Sequence, residues 1–248
     1  SIAMNICLLG FLGFIVGMLT ILMGGGGGAI YLGILTGIVG LQASSATSTS
    51  LLTSLPPLII GVWAYYKQKK VDFNIGNQLL ITAIPAVIIG VLLSKFIPDT
   101  LYKWIIGLIM LILGINMLWP HKETSKVKGN QSIKAKFYGA LAGLMVGIAG
   151  MSGGAVITSG LFLLGLEAFN ATATSTYVLV FMVAIGMLFH LSGNSVDWNA
   201  GLPLTIGATI GALIAPLLAT WLSKTQFSKY MKPIIGILLT ILGFKSLL

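Results

Sequence analysis

The chain begins with 66 consecutive uncharged residues, from Ser1 to Tyr66. Two further uncharged runs cover residues 137–166 and 198–223. A run of about 20 apolar residues is long enough to cross a hydrocarbon core about 30 Å thick. Only 8% of all residues are charged, whereas a soluble domain carries about 25%, and so few charges cannot cover a water-exposed surface. The sequence therefore predicts an all-α integral membrane protein with a single membrane domain, and the lipid bilayer as its main partner.

The net charge of +9 comes from lysines that cluster between the apolar segments. Such clusters indicate membrane topology rather than a surface for nucleic acid. The single cysteine, Cys7, allows neither a disulfide framework nor a thiolate metal cluster. We therefore expect no nucleic-acid partner, no metal and no cofactor.

Short motifs of the first half recur in the second half in the same order, which indicates a duplication. The recurring motifs are residues 46–50 and 173–177, the glycine pairs 26–27 and 153–154, residues 71–74 and 196–199, and residues 105–107 and 234–236. We predict a first repeat over residues 1–120, a cytoplasmic linker over residues 121–132 and a second repeat over residues 133–248.

Each repeat has two short apolar pieces separated by glycines and then three longer apolar segments. The predicted helices are 5–23, 29–41, 44–66, 75–96 and 101–119, followed by 136–149, 155–166, 172–191, 199–222 and 229–247. A 13-residue arm is only about 20 Å long, which is too short to span the hydrocarbon core. The fold class is thus two repeats, each a glycine-broken, re-entrant helical hairpin followed by three transmembrane helices.

The repeats are expected to have inverted topology, because each one makes a net odd number of crossings. Alternation places eleven lysines on the side of the Lys67–Lys70 loop and only Lys95, Lys103 and Lys245 on the other. Lysine-rich loops of the cytoplasmic membrane stay in the cytoplasm. Both termini and the loop over residues 192–199 are therefore expected outside.

The glycine runs 24–28 and 150–154 are the first candidate site. Inverted repeats with helices broken at matching positions are typical of transporters that bind substrate between the repeats. Two short helices would begin near Ala29 and Ala155, and free N–H groups and the helix dipole would favour an anion there. The candidate ligands from these runs are Gly25, Gly26, Gly27, Gly28, Ser152, Gly153 and Gly154. The alternative is that these glycines only permit close helix packing.

Hydroxyl-rich segments follow each hairpin and could complete the coordination of an oxyanion. Their candidate ligands, with two nearby amides, are Gln42, Ser45, Thr47, Ser48, Asn170, Thr172, Thr174 and Ser175. Two structural roles compete with this interpretation. Ser44, Ser45 or Thr172 could be helix N-caps, and the other hydroxyls could bond back to helix carbonyls.

Few ionisable groups lie in the apolar segments. Glu167 falls at a helix end, and Asp72 and Asp197 fall beside loops, so the sequence predicts no proton carrier. His190 is the one histidine inside a predicted helix. It could titrate during transport or hold a structural hydrogen bond.

The duplicated halves, the glycine runs and the Ala-Thr-Ser-Thr motifs resemble the TauE/SafE family of sulfite and organosulfonate exporters over almost the whole chain. The resemblance implies a secondary transporter that exports a small sulfur-containing anion by alternating access, and not an enzyme. It does not choose between sulfite and a sulfonate. A homodimer is plausible for so small a bundle.

Three other functions are compatible with the residues. A passive anion channel could use the same donors. An intramembrane serine hydrolase could use Ser152, in a Gly-x-Ser-Gly sequence, with His190, although Ser152 aligns with Gly25 of the first repeat. A membrane assembly factor would leave the paired helix breaks without a role.

Overall fold

The computed structural model describes residues 2–23, 27–119, 132–150, 154–166, 168–191, 196–222 and 228–248. The regular structure in these ranges is helical. The helices are α1 (Ile2–Met23), α2 (Gly27–Ile34), α3 (Ala43–Lys67), α4 (Phe73–Ser94), α5 (Asp99–Leu118), α6 (Ser132–Ala149), α7 (Gly154–Leu163), α8 (Ala168–Leu191), α9 (Trp198–Leu222) and α10 (Ser228–Leu247). A π-helical segment, Leu35–Val39, continues α2. Of the predicted linker, only Ser132 lies among the described residues.

Each predicted segment coincides with one helix, and the boundaries agree to within a few residues. The largest differences are at the starts of α6 and α8, which begin at Ser132 and Ala168 rather than at Lys136 and Thr172. The helix α3 begins at Ala43, with Gln42 in the N-cap position. Ser44, Ser45 and Thr172 consequently lie inside helices, so the expectation that one of them is an N-cap was wrong.

Five helices in the described part of the chain are long and apolar enough to cross a membrane: α1, α4, α6, α8 and α9. They carry large apolar side chains on their outer faces, for example Phe11, Ile81 and Ile206, which are 57–61% exposed. A hydrocarbon environment favours such an apolar surface. It also favours helices, because they satisfy their own backbone hydrogen bonds. The chain is an integral membrane protein of the all-α class.

The hydroxyl-rich helix α3 lies inside the bundle, packed against α8 and α9. Residues 46–50 of α3 are buried. The Ser and Thr side chains of residues 47–50 therefore face other helices rather than lipid, and they can bond to neighbouring backbone groups.

Two pairs of helices approach so closely that only glycine fits between them. A Cβ on the glycines of α6 would overlap backbone carbonyls of α4, and a Cβ on those of α1 would overlap carbonyls of α9. The opposed residues are Gly139 with Leu79, Gly143 with Ala83, Gly147 with Val87, Gly13 with Leu204 and Gly17 with Ala208. Each pair joins a helix of the first half to a helix of the second half.

A hydrogen bond between the end of a loop and a threonine also occurs twice. Asp72 accepts from the amide of Ile75 (3.2 Å) as the N-cap of α4, and its own amide donates to Thr174 Oγ1 (2.9 Å). Asp197 caps α9 in the same way, and its amide donates to Thr49 Oγ1 (2.9 Å).

This pairing differs by two residues from the motif match, which set Thr47 against Thr174. Both segments contain a Thr-x-Thr sequence, so the sequences align equally well in two registers. In the structure, Thr49 of the first half and Thr174 of the second half occupy equivalent positions. They are 125 residues apart, and the same shift relates Asp72 to Asp197 and Leu79 to Leu204.

Replacing Gly143 by alanine should weaken the contact between α4 and α6. The new Cβ would lie 2.5 Å from the carbonyl oxygen of Ala83, and overpacking of this kind costs about 1–3 kcal/mol. We expect the melting temperature of Gly143→Ala in detergent to fall by about 3 °C or more. Gly10→Ala is the control, because its Cβ would meet only Pro203 O at 3.9 Å. Equal melting temperatures for the two variants would contradict the close packing.

Thr49→Val and Thr174→Val should destabilise the protein to a similar extent. Each substitution removes the acceptor for the amide of an N-cap aspartate, at a cost of about 1 kcal/mol. Thr209→Val serves as the control, because the Thr209 hydroxyl donates to Thr205 O in its own helix. Thermal unfolding in detergent measures all three. A loss of stability in only one of the two variants would show that the contacts are not equivalent.

Candidate functional site

The two short helices begin at the glycine runs. The helix α2 starts at Gly27, and α7 starts at Gly154. Gly28, the second residue of α2, is buried. Gly25, Gly26, Ser152 and Gly153 lie outside the described residues. The structure thus places a helix N-terminus in the last residues of each run, where backbone N–H groups have no intrahelical acceptor.

The end of α6 lies directly on α3, at the point where the second glycine run begins. Gly150 has a φ of +65°, and a Cβ there would meet the backbone of Thr47. Ser50 donates to Gly150 O (2.8 Å), and Thr47 approaches Ala149 O (3.3 Å). Two hydroxyls of the first half therefore hold the broken helix of the second half, and only glycine suits position 150.

Two of the predicted hydroxyl ligands, Thr47 and Ser48, bond back to their own helix, and so do the neighbouring hydroxyls of Thr49 and Thr176. The bonds are Thr47 to Ala43 O, Ser48 to Ser44 O, Thr49 to Ser45 O and Thr176 to Thr172 O, at 2.7–3.3 Å. Of the two roles left open by the sequence, back-bonding is thus present in this conformation. A hydroxyl that donates to a carbonyl keeps its oxygen lone pairs, but its proton is not directed at an anion.

The predicted hydroxyls do not meet at one point. Thr174 lies beside Asp72, at the Lys67 end of α3, whereas Thr47 lies in the second turn of α3. The 20 residues between Thr47 and Lys67 correspond to about 30 Å of helix. Ser175 follows Thr174 directly in α8 and approaches Gly154 O at 3.5 Å. The candidate residues form two groups, one near each end of α3.

Three buried polar atoms have no hydrogen-bond partner among the described residues: Tyr31 Oη, Thr158 Oγ1 and Asn170 Oδ1. An unsatisfied buried group costs about 1–3 kcal/mol. The Tyr31 side chain is fully buried. It faces Thr20, whose hydroxyl donates to Val16 O (2.7 Å) and keeps its oxygen lone pairs for a further bond. Polar groups in this condition are suited to a ligand that brings its own donors and acceptors.

Sequence reasoning predicted Asn170 as a ligand and missed Tyr31 and Thr158. The signal was their spacing, because each lies four residues after the first residue of a short helix, Gly27 or Gly154. Tyr31 also packs in one buried cluster with Met145 and Ala149. The first short helix and the second glycine run are thus neighbours in the centre of the bundle.

His190 has a structural hydrogen bond. Its Nε2 lies 3.1 Å from Gly147 O, one turn before the second glycine run. Tyr65, which precedes His190 by the same 125 residues, donates to Ile21 O just before the first run. Both side chains therefore connect a long helix of the bundle to a backbone carbonyl just before a helix break.

Gln42 lies apart from the buried candidates. Its side chain is exposed and does not cap α3, and it lines an open cavity at the start of that helix. Ser45 is half-buried in the first turn. Elsewhere in the described chain, no group of three or more His, Cys, Asp or Glu side chains could hold a metal ion.

Comparison with known proteins agrees with this architecture. Residues 9–246 match the family model described as Sulfite exporter TauE/SafE. The "Probable membrane transporter protein YunE" of Bacillus subtilis is 25% identical, over 97% of this chain and 96% of that protein. A "Probable membrane transporter protein" of Methanocaldococcus jannaschii is also 25% identical, over 97% and 95%.

A relative with a different name is the "Undecaprenyl-diphosphatase" of Corynebacterium glutamicum. It is 26% identical over 76% of this chain and 68% of its own length. The family model, by contrast, covers nearly every described helix. The resemblance found in the glycine runs and hydroxyl motifs is confirmed: the chain belongs to the TauE/SafE family of sulfite exporters.

Proposed function

We propose that the protein is a secondary transporter that exports a small sulfur-containing anion, sulfite or an organosulfonate, across the cytoplasmic membrane by alternating access. One observation carries this proposal. Each short helix begins at a glycine run and has, one turn later, a buried polar atom without a partner among the described residues. Family membership and the names of the relatives support transport as the activity.

The proposed binding site uses main-chain groups more than charged side chains. A helix N-terminus offers free N–H donors and about half a positive charge, and two such termini follow Gly27 and Gly154 in sequence. A sulfite or sulfonate group presents three oxygens to donors of this kind. The anion would lie close to the backbone of Gly25, Gly26, Gly27, Gly28, Ser152, Gly153 and Gly154. The hydroxyls of Tyr31 and Thr158 and the amide nitrogen of Asn170 would donate to its oxygens, since Asn170 Oδ1 can only accept.

The inverted topology of the repeats is part of the proposal. The contacts that recur at a shift of 125 residues support two equivalent halves. The lysine distribution favours a cytoplasmic Lys67–Lys70 loop and external termini. On this orientation Thr47 and Ser50 lie near the outer end of α3, and Thr174 lies near the inner end.

The units that move are helix groups rather than the two sequence halves. The glycine-packed pairs α1–α9 and α4–α6 both join one half to the other. One large buried cluster is formed mainly by α1, α2 and α9 with the start of α3 and the end of α6, and the other by α4, α7 and α8 with the remaining parts of α3 and α6. Bodies with well-packed interiors move as units against one another. The contact of Ser50 with Gly150 lies where the two clusters meet, so it would open and close during transport.

Transport is the first test of the proposal. Labelled sulfite and a short alkylsulfonate should enter proteoliposomes with saturable kinetics and show counterflow against unlabelled substrate. Thr47→Val/Ser50→Ala removes two hydrogen bonds at the second glycine run. At about 1 kcal/mol per bond, we expect the initial rate to fall about tenfold or more.

Thr209→Val is the matched control for transport, because it removes a hydroxyl whose bond lies within α9. Flux linear in concentration and without counterflow would identify a passive anion channel. No flux of either substrate above empty liposomes would overturn the proposed substrate class. An unchanged rate in the double variant would exclude the contact between α3 and α6 from the transport cycle.

Hydrolysis is the alternative suggested by one group of relatives. We expect no release of phosphate from undecaprenyl diphosphate by the purified protein. Sulfite flux should persist in Ser152→Ala, because Ser152 would contribute its main-chain N–H group rather than its hydroxyl. His190 is engaged with Gly147 O, and a tyrosine has the same role in the first half. Phosphate release that Ser152→Ala or His190→Gln abolishes would establish an enzyme instead.

Spin-label distances test which helices move together. In a Cys7→Ala background, labels replace the exposed residues Phe11, Ile81, Phe137 and Ile206. The pairs 81–137 and 11–206 lie within glycine-packed units, so their distances should not change when sulfite is added. The pair 11–81 joins the two units, and its distance distribution should shift. A change within either packed pair would contradict the assignment of the moving units.

A further inference from the structure

An open cavity of about 570 Å³ lies at the start of α3. Three parts of the chain line it: the end of the first hairpin, the start of α5 and the end of α10. Its lining includes Gln42, Ala43, Thr100, Lys103, Trp104 and Lys245. The cavity is at the opposite end of α3 from Lys67, about 37 Å away along the helix.

Helix packing brings two lysines to this cavity. The helices α5 and α10 run antiparallel in close contact, since a Cβ on Gly107 would meet Leu247 and one on Gly114 would meet Thr240. The start of α5, with Lys103, therefore meets the end of α10, with Lys245.

The charge of the cavity is positive. Its lining contains two ammonium groups and no carboxylate. Asp99 precedes Lys103 by four residues in the sequence, and its one negative charge is fewer than the two positive charges of the lining. The stem of Lys245 packs beside Gly37, with Cδ 3.5 Å from the position of a Cβ there. A lysine whose stem rests on the wall keeps its ammonium group at the water-filled side.

Neutral donors add to the two lysines. Gln42 and Thr100 are exposed, and the Gln42 side chain does not cap the N–H groups of α3. Gly40 has a φ of +82°, and no atom lies within 4 Å of a Cβ placed on it. The cavity thus has a wide entrance and hydrogen-bond donors on several sides.

The cavity adjoins the contact that closes the proposed transport path. Ala43, at its floor, accepts a hydrogen bond from Thr47 (2.8 Å), and Thr47 approaches Ala149 O at the second glycine run. An anion in the cavity is therefore about one helical turn from the hydroxyls that hold α6 against α3.

We propose that this cavity is an anion vestibule, in which Lys103 and Lys245 concentrate small oxyanions at the end of the transport path nearer to Gln42. The role in transport rests on the proposed function, whereas anion binding in the cavity does not. A volume of about 570 Å³ exceeds that of a sulfite ion several-fold, so the vestibule holds a hydrated anion by charge and selects weakly among oxyanions. Such binding is screened by salt.

An oxyanion could reach the vestibule from water or from an anionic lipid headgroup, because Trp104 in its lining is 51% exposed. The shared chemistry is a compact group of negatively charged oxygens. The test therefore compares nanodiscs of phosphatidylcholine alone with nanodiscs that also contain phosphatidylglycerol.

Fluorescence of Trp104 measures anion accumulation without any transport. In a variant with Trp63, Trp119, Trp198 and Trp221 replaced by phenylalanine, iodide and the neutral quencher acrylamide are titrated at low salt. We expect Lys103→Gln/Lys245→Gln to lower the iodide quenching constant about threefold, as two nearby charges of this strength imply. The acrylamide constant should not change.

Lys95→Gln is the matched control, since it removes a lysine from the same end of the bundle and does not line the cavity. Methanesulfonate should reduce iodide quenching in both kinds of nanodisc. Protection by phosphatidylglycerol alone would assign the oxyanion to lipid and overturn a vestibule for soluble anions. Equal iodide quenching with and without the two lysines would overturn the site itself.

Transport assays separate this proposal from the proposed function. Once the wild-type protein has been shown to transport sulfite in proteoliposomes, the same assay is made with Lys103→Gln/Lys245→Gln. The half-saturating sulfite concentration on the cavity side should be about tenfold higher for this variant, equivalent to about 1.4 kcal/mol. The opposite side should be unaffected. Lysine-dependent iodide accumulation without any sulfite or sulfonate flux would void the proposed function and keep the anion site. Sulfite or sulfonate flux together with iodide quenching that does not depend on the two lysines would void the anion site and keep the proposed function.

Discussion

The close approach of α6 to α4 and of α1 to α9 determines where the other parts of the molecule lie. Glycines face backbone carbonyls along both contacts, and any larger residue would separate the helices. The two glycine runs follow α1 and α6 directly, so these contacts set the depth at which each helix breaks. In lipid, where apolar burial between helices contributes little, such backbone proximity and interhelical hydrogen bonds stabilise the assembly.

The same packing determines which groups are left for a ligand. Hydroxyls of α3 and α8 bond to carbonyls of their own helix or of the opposing break, as Ser50 does to Gly150. These hydrogen bonds stabilise the conformation that the structure describes. The groups without partners among the described residues lie on the short helices and at the start of α8: Tyr31, Thr158 and Asn170. A site assembled from helix N-termini and a few neutral polar atoms can bind an anion without a buried lysine.

Hydropathy and glycine placement predicted the ten helices because each depends on local sequence, as with the uncharged run before Lys67. The start of α8 at Ala168 was missed because Asn170 and Thr172 were taken as polar boundary residues, although both lie inside the helix. The pairing of Thr49 with Thr174 was inaccessible, since Thr-x-Thr aligns in two registers. The meeting of Lys103 with Lys245 depends on the packing of α5 against α10, which no local pattern encodes.

The matching roles of Tyr65 and His190 connect the duplication to the chemistry of the fold. Each side chain bonds to a carbonyl one turn or less before a glycine run, Tyr65 to Ile21 O and His190 to Gly147 O. A tyrosine hydroxyl is neutral at physiological pH, so the position requires a hydrogen-bonding group and not a titrating one. Since the duplicated scaffold accepts either residue, the contact explains His190 as an anchor for the break in α6. In each half, this hydrogen bond holds a backbone carbonyl that precedes the glycine run. The free N–H groups after the break belong to the short helix, which carries an unpartnered polar atom.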